Sequence, residues 1–525
     1  MMSVSVGFWD LLIVAVYLIF IIWWGVRHGM SRDTRSYFLA GRSMPWWIVG
    51  LSLFAASISS TTLIGQSGDA YHTGIAVFNY NLTGVIVMVF FLFFLLPLYL
   101  KSNIFTIPEF LEKRFDKRSR YYFSGICIIG NIFLDAAGAL YAAALIIKLI
   151  LPEADLQTVI IIFGIIAASY TIPGGLSSAI NAELIQAVIL IVGSVILTVF
   201  CFREGGAYLS GLLADGDFSV KLIRPLDDPS TPWLGLIVGM PVLGIYFWAN
   251  NQTLVQRVLS AKSVDEGRKG ILLTGFLTLL TLVIIVFPGI ISRYLFPGLE
   301  KPDMVYPNMV MQLMPVGLLG VMLAALLAAL TSTLSAILNS TSTLFTMDFY
   351  AQLNKKADSA SLVKVGKVAS LVIIVLAMLW APYIGKFGSL LKYYQEMLSY
   401  IAPPVVAAFL LGVFGKRVNG SGVFIGLLGG LGIAVCMLFF KEMIFGNMHF
   451  LLIVPYLLTA SMVVMVVASL FFKKPSPEKL ENTTFNIADF RQETTDLKEV
   501  KWFRNYRFWS LVLLAGCALI WVLLY

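Results

Sequence analysis

Stretches of apolar residues about as long as a membrane-crossing helix, roughly 20 residues, follow one another along almost the whole chain of 525 residues. Fourteen are read, near residues 6–26, 46–68, 75–100, 121–151, 156–173, 182–203, 233–252, 269–296, 308–346, 364–385, 391–415, 419–441, 450–472 and 506–525. One soluble core cannot bury so many, and the composition agrees. Only 13% of residues are charged, against about a quarter in soluble domains, and the mean hydropathy is +0.87. The expected fold is an all-α membrane protein of about 14 transmembrane helices. Disordered, collagenous and coiled-coil classes are excluded by the same numbers. Cys127, Cys201, Cys436 and Cys517 lie in apolar stretches at no metal-like spacing, so they are read as inert core residues and not as a disulfide or metal framework.

The net charge of +8 is sorted by loop. Arg27, Arg32, Arg35 and Arg42 follow the first stretch, Lys101, Lys113, Arg114, Lys117, Arg118 and Arg120 the third, and Arg257, Lys262, Arg268 and Lys269 the seventh. The intervening loops are acidic or nearly neutral, with Glu153 and Asp155, then Asp215, Asp217, Asp227 and Asp228. By the positive-inside rule the basic set is cytoplasmic, which places both termini outside and requires an even number of spans. The charge is thus an orientation signal in a lipid bilayer, and nucleic-acid binding is not expected. The first stretch lacks a basic leader and a small-residue cleavage site, so a retained helix is expected, not a signal peptide. The polar segment 474–505 reads as a solvated cytoplasmic connector. Neither a phosphate-binding loop nor a catalytic motif such as HExxH or GxSxG is present. Neither an enzyme, nor a channel with a ring-like filter, nor an obligate protein partner is expected.

Polar residues inside the spans carry the functional signal. In the second span, Ser57, Ser59, Ser60, Thr61 and Thr62 interrupt an apolar run beside Gly50, Gly65 and Gly68. A broken helix there would expose carbonyls beside hydroxyls, a nest of hard oxygens for a small cation. The ninth span places Thr331, Ser332, Thr333 and Ser335 within about one turn, with Asn339 further along the Ser335 face. Neutral oxygens without carboxylates suit Na⁺ better than Ca²⁺. Helix packing by small residues explains either cluster alone; two clusters in one chain favour the ion.

The seventh span joins Gly239, Pro241 and Gly244 to Tyr246, Phe247, Trp248, Asn250, Asn251 and Gln252. It implies a second discontinuous helix, with aromatics and amides that could hold a sugar-like ring or form an interfacial belt. Two ionisable groups lie inside spans. Asp135 could accept from substrate hydroxyls, pair with a cation, carry a proton, or be held by donors of a neighbouring helix, while Glu183 could serve similarly or be solvated near a boundary. His28, His72 and His449 sit at loop edges and read as solvent-exposed.

The segments YFLAGRSMPWW (37–47), GLSLFAASISSTTLIGQSGDAY (50–71), TIPEFLEKRF (106–115), YTIPGGLSSAINAELIQ (170–186), NNQTLVQRVLSAKS (250–263) and LNSTSTLFTMDFY (338–350) resemble, in order and spacing, the successive signatures of the sodium/solute symporter family, and within it the sodium/glucose and sodium/galactose branch. The resemblance implies a LeuT-like core of two inverted five-helix repeats, here 46–203 and 233–415. Residues 1–45 precede them, an extracellular loop 204–232 separates them, and peripheral helices 416–525 follow. It also implies alternating access that carries Na⁺ and a solute inward together.

By position the resemblance implies a sodium site at the carbonyls of Ala55, Ile58 and Ala329 and the hydroxyls of Ser332 and Thr333. A second sodium would use Glu183, Ser332 and Ser335, although relatives with that site carry an aspartate at position 183 and a hydroxyl at Ala336. The solute site implied comprises Thr62, Gln66, Tyr80, Asn81, Asp135, Phe247, Trp248, Asn251, Thr278 and Gln395. Gln395 is retained from the sugar-carrying pattern, whereas Thr62, Asn81, Gly244 and Thr278 replace its other polar side chains. A related sugar, an amino sugar or a polyol is the expected solute, since these groups are hydroxyl partners. A non-sugar solute, or coupling to protons through Asp135 and Glu183, is the alternative.

Overall fold

The computed structural model describes residues 6–28, 34–58, 61–150, 153–387 and 390–525, so Arg32, Ser59 and Ser60 lie outside the described residues. Among those described, regular structure is helical, with two isolated bridges, Met44 to Ala261 and Arg224 to Pro232. Eleven helices are long and apolar enough to cross a membrane, or twelve if the bent pair Trp46–Ser57 and Thr62–Thr73, which meet at 60°, is one span. The protein is a multi-pass membrane protein.

Polar residues at the loop edges start the helices. Asp116, Asp155, Ser263, Asp358, Asn419 and Asn505 each accept a backbone N–H of the first turn that follows, occupying donors a helix start leaves unpaired. Arg114, fully buried, works at the opposite kind of end. Its guanidinium donates to the carbonyls of Gly412 (2.7 Å) and Gly415 (2.6 Å), where the Leu390–Phe414 helix leaves acceptors exposed.

The longest helical element, Leu156–Asp215, has 60 residues. Unbroken it would measure about 90 Å, three times a hydrocarbon core of about 30 Å. It breaks at Gly175, with Pro173 beside it, where φ is +61° and ψ −150°. The fold needs glycine at this point for a second reason: a Cβ there would lie 2.5 Å from the Tyr37 carbonyl oxygen. Around the break Tyr37 donates to the Ile172 carbonyl (3.0 Å) and Ser177 to the Ser36 carbonyl (2.9 Å). The first and fourth signature segments are therefore two halves of one packing contact.

The fifth segment staples several others. Gln252 accepts from the Ile107 N–H (2.7 Å), Gln256 donates to the Phe38 carbonyl (2.7 Å) and the Thr343 hydroxyl (2.9 Å), and Met44 and Ser260 share a backbone bond of 3.0 Å.

Segment 474–505 is largely exposed, as expected of a solvated connector, but it is also docked. It contains the helix Ile487–Asp496, its Phe485 N–H donates to the Val413 carbonyl (2.9 Å), and the Phe485 ring packs on Phe94, Phe414 and Phe490. Arg268, reaching from the seventh-span loop, pairs with Glu493. Burial pushes the Glu493 carboxyl up, but the hydrogen bond and charge of Arg268 outweigh it and hold the group below its usual range. Aromatic residues spaced through a polar sequence supply the docking that its composition conceals. Of the cysteines, Cys127, Cys201 and Cys517 are buried but Cys436 is exposed on the apolar Gly420–Phe439 helix. Of the histidines, His72 is exposed and His449 is half-buried, its Nδ1 accepting the Leu451 N–H at 3.3 Å.

Candidate ion and solute sites

Ser57 and Thr62 of the first hydroxyl cluster and Thr333 of the second line one cavity. Regular helical bonding in the second span stops at Ser57, and Ile58 (φ −88°, ψ 84°) turns the chain aside, releasing carbonyls of the last turn. The helix Leu318–Thr343 passes beside this end. Ser332 donates toward the Ala55 carbonyl at 3.5 Å and to Ala329 at 2.9 Å, and Thr333 also donates to the Ala329 carbonyl at 2.9 Å. Ala55, Ile58, Ala329, Ser332 and Thr333 are all buried. Two carbonyls, of Ala55 and Ala329, and two hydroxyls, of Ser332 and Thr333, thus come together from two elements, and Ile58 lines the cavity beside Thr333; neutral oxygens of this kind suit a monovalent cation.

That cavity has a volume of about 160 Å³. All ten residues of the implied solute site, Thr62, Gln66, Tyr80, Asn81, Asp135, Phe247, Trp248, Asn251, Thr278 and Gln395, line this cavity. Gln66 donates to Asn81 (2.8 Å), Asn81 to the Thr281 hydroxyl (2.6 Å), and Thr281 to the Thr278 carbonyl (2.6 Å), a chain that fixes both amides. Oε1 of Gln66 is buried and has no partner among the described residues, so it presents an acceptor to the cavity. The Thr62 hydroxyl donates to the Ser57 carbonyl at 3.2 Å. Trp248 stands edge-on to Phe247, with ring centroids 5.1 Å apart, and a Cβ on Gly84 would lie 2.6 Å from its indole nitrogen. Asn251 caps the continuation Gln252–Leu259 by accepting the Thr253 N–H (2.8 Å). The Thr278 hydroxyl is turned back to its own helix, donating to the Thr274 carbonyl at 2.8 Å.

Of the residues implied for a second ion, Ser332 lies in the locale just described, while Glu183 and Ser335 have other partners. Glu183 and Arg257 are fully buried and paired at 2.6 Å, Ser52 also donates to Glu183, and Arg257 donates to the Thr253 carbonyl at 2.7 Å. Ser335 accepts from Thr171 at 2.9 Å. Glu183 is therefore not solvated, and its charge is balanced by a guanidinium rather than left for an ion. Sequence reasoning missed Arg257, whose position in a basic loop gave it an orientation role.

It also missed Tyr394, whose hydroxyl interacts with Asp135 across the cavity, and the buried carboxylate Asp348. Asp348 accepts from Thr106 (2.7 Å), Ser124 (2.5 Å) and Arg120 (2.6 Å), and Arg120 also pairs with Glu112 at 2.5 Å. The pairing of a carboxylate at the end of the ninth span with a buried arginine more than two hundred residues away left no local signal.

Many apolar helices, one pair of them bent, around a cavity that mixes apolar walls with amides, hydroxyls and one carboxylate are features that multi-pass transporters share. The model of the sodium:solute symporter family matches residues 37–430. Sodium/glucose cotransporter 1 of Ovis aries is 33% identical, over 93% of this chain and 82% of its own length. Sodium/glucose cotransporter 4 of Homo sapiens is 37% identical over 81% of this chain and 68% of its length. Among solved structures, an outward-open, substrate-bound Na⁺-coupled sialic acid symporter superposes with a TM-score of 0.77 at 22% identity, covering 90% of this chain and 99% of that one. A nucleobase-cation-symport-1 family transporter superposes with a TM-score of 0.57 at 16% identity over 86% of this chain and 98% of that one. The chain belongs to the sodium:solute symporter family: it is a membrane transporter, not an enzyme.

Proposed function

We propose that the protein imports a small polar solute, a sugar, amino sugar or polyol, together with Na⁺ by alternating access. The sodium ion is held by the carbonyls of Ala55, Ile58 and Ala329 and the hydroxyls of Ser332 and Thr333, and the solute by the cavity beside it. The observation that carries this reading is that Ile58 and Thr333, assigned here to the ion, also line the cavity assigned to the solute. An ion that orders the broken end of the second span also shapes the solute wall, so each ligand raises the other's affinity. One sodium per cycle is the reading supported by the pairing of Glu183 with Arg257. One ion crossing 100 mV supplies about 2.3 kcal/mol, enough to concentrate a neutral solute roughly fifty-fold.

On this reading the bends at Ile58 and Asn251 are the two discontinuous helices, at equivalent places in repeats 46–203 and 233–415. Fourteen spans result when Leu156–Asp215 is counted twice across Gly175 and the bent pair and the shorter apolar helix Phe8–Trp24 once each. Both termini then lie outside. A carboxylate solute such as sialic acid would meet Asp135 in the cavity, which speaks against it as the cargo.

The test is uptake into proteoliposomes against external sodium. Ser332→Ala and Thr333→Ala are expected to raise the sodium concentration for half-maximal uptake about tenfold or more, the loss of roughly 1.5 kcal/mol or more for a hydrogen-bonding group at a charge. Unchanged sodium dependence in both variants removes the site from this locale.

A further inference from the structure

The solute cavity has one sign of charge. Among the described lining residues Asp135 alone carries a formal charge, and no lysine, arginine or histidine accompanies it. Among the described residues its carboxylate meets the neutral hydroxyl of Tyr394, in contrast to Glu183 and Asp348, each of which is satisfied by a buried guanidinium. A carboxylate in a membrane interior is costly unless a cation or several donors meet it. Two further buried polar atoms of the lining have no partner among the described residues, Oε1 of Gln66, an acceptor, and the Thr253 hydroxyl, which can donate or accept. Tyr80, Phe247, Trp248 and Tyr394 supply aromatic walls, whose faces attract cations.

The approach repeats the sign. A wider cavity of about 680 Å³ shares Tyr80 and Gln395 with the first and is bordered by residues of the loop 204–232. Asp69, Asp227, Asp228 and Glu396 line it, against Lys441, which pairs with Glu396 at 2.5 Å, and His449, which accepts a backbone N–H. An acidic cleft raises the local concentration of cations and repels anions.

We infer that the solute is itself a cation, an amine-bearing sugar or polyol whose ammonium pairs with Asp135 while its hydroxyls reach Gln66, Asn81 and Gln395. The inference rests on the sodium-coupled reading above and narrows it from polar solutes to positively charged ones. It predicts discrimination by charge among rings of the same shape.

The experiment titrates the full-length protein in detergent with D-glucosamine, D-glucose, D-glucuronate and choline, each in NaCl and in KCl, reading thermal stabilisation. Glucosamine is expected to half-saturate at a concentration about tenfold or more below glucose, the range seen when one partner of a buried charge pair is removed, and glucuronate to have no effect. In Asp135→Asn the two neutral and cationic rings should converge to within about twofold. Asp135→Glu should keep the preference, and stabilisation by sodium alone in both variants establishes that they fold.

Glucose acting at equal or lower concentration than glucosamine, a ratio unchanged in Asp135→Asn, or no response to either cation overturns the charge inference. Stabilisation by choline and by no ring upholds the charge while removing the sugar reading. Equal responses in NaCl and KCl remove sodium coupling, and the glucosamine-to-glucose ratio still decides the charge.

Discussion

Buried charge in this protein is handled residue by residue, and the partner decides what each carboxylate does. Asp348 is enclosed by Thr106, Arg120 and Ser124 and is fully buried. Replacing it with Ala leaves the buried Arg120 guanidinium with Glu112 and the Met347 carbonyl and is expected to cost about 3–5 kcal/mol, whereas Ser124→Ala removes one hydrogen bond to a charge and costs about 1.5–3 kcal/mol. Thermal unfolding in detergent should rank the two in that order, and equal losses would show that the network does not centre on Asp348. Asp135 looks alike in the sequence, one carboxylate in an apolar span, yet it faces a cavity and a tyrosine. The residues were legible as exceptions to an apolar pattern; which exception is structural and which is open to a ligand depends on side chains that arrive from distant segments.

At the scale of elements, the site is built where helices depart from regular winding. Thr62 lies in the π-helical turn Thr61–Gly65, Asp135 in Asn131–Ala136, Phe247 and Trp248 in Tyr246–Asn250, and Asp348 in Leu344–Tyr350. A π turn inserts a residue into the helical register and swings its side chains off the lipid-facing period. Glycine, proline and hydroxyl clusters announced interruptions in the second and seventh spans, but nothing comparable marks Asn131–Ala136, because a π turn costs only local register and needs no special residue. Gly175 is the opposite case, a break that the dipeptide Gly174–Gly175 after Pro173 makes readable. Gly175→Ala forces a positive φ on a residue with a Cβ and drives it against the Tyr37 carbonyl. An expected loss of about 1–3 kcal/mol would appear as a lowered melting temperature, and an unaltered one would mean that the break does not depend on this conformation.

Over the whole molecule, the ion pair of Glu183 and Arg257 ties three elements together at the centre. Glu183 lies beyond the Gly175 break, Arg257 on Gln252–Leu259 after the bend at Asn251, and Ser52 on Trp46–Ser57 before the bend at Ile58. Both proposed discontinuous helices are thereby anchored to the same carboxylate. Arg257→Met leaves that carboxylate uncompensated, at an expected cost of about 3–5 kcal/mol, and the double variant Arg257→Met with Glu183→Gln should recover most of it because neither charge remains. Failure of the second change to restore the melting temperature would assign the loss to packing of the long side chain. The sequence by itself determined that the chain is helical, crosses a membrane many times, and belongs with sodium-coupled transporters, because hydropathy, loop charge and ordered signature segments are local properties of the chain. Only the tertiary structure decided that Glu183 is spoken for by Arg257, that the aromatic-bearing segment 474–505 is docked, and that Asp135 stands as the lone formal charge among the described residues lining the cavity. Partnership between groups far apart in the chain is fixed by helix packing, and no period or motif in the sequence encodes it.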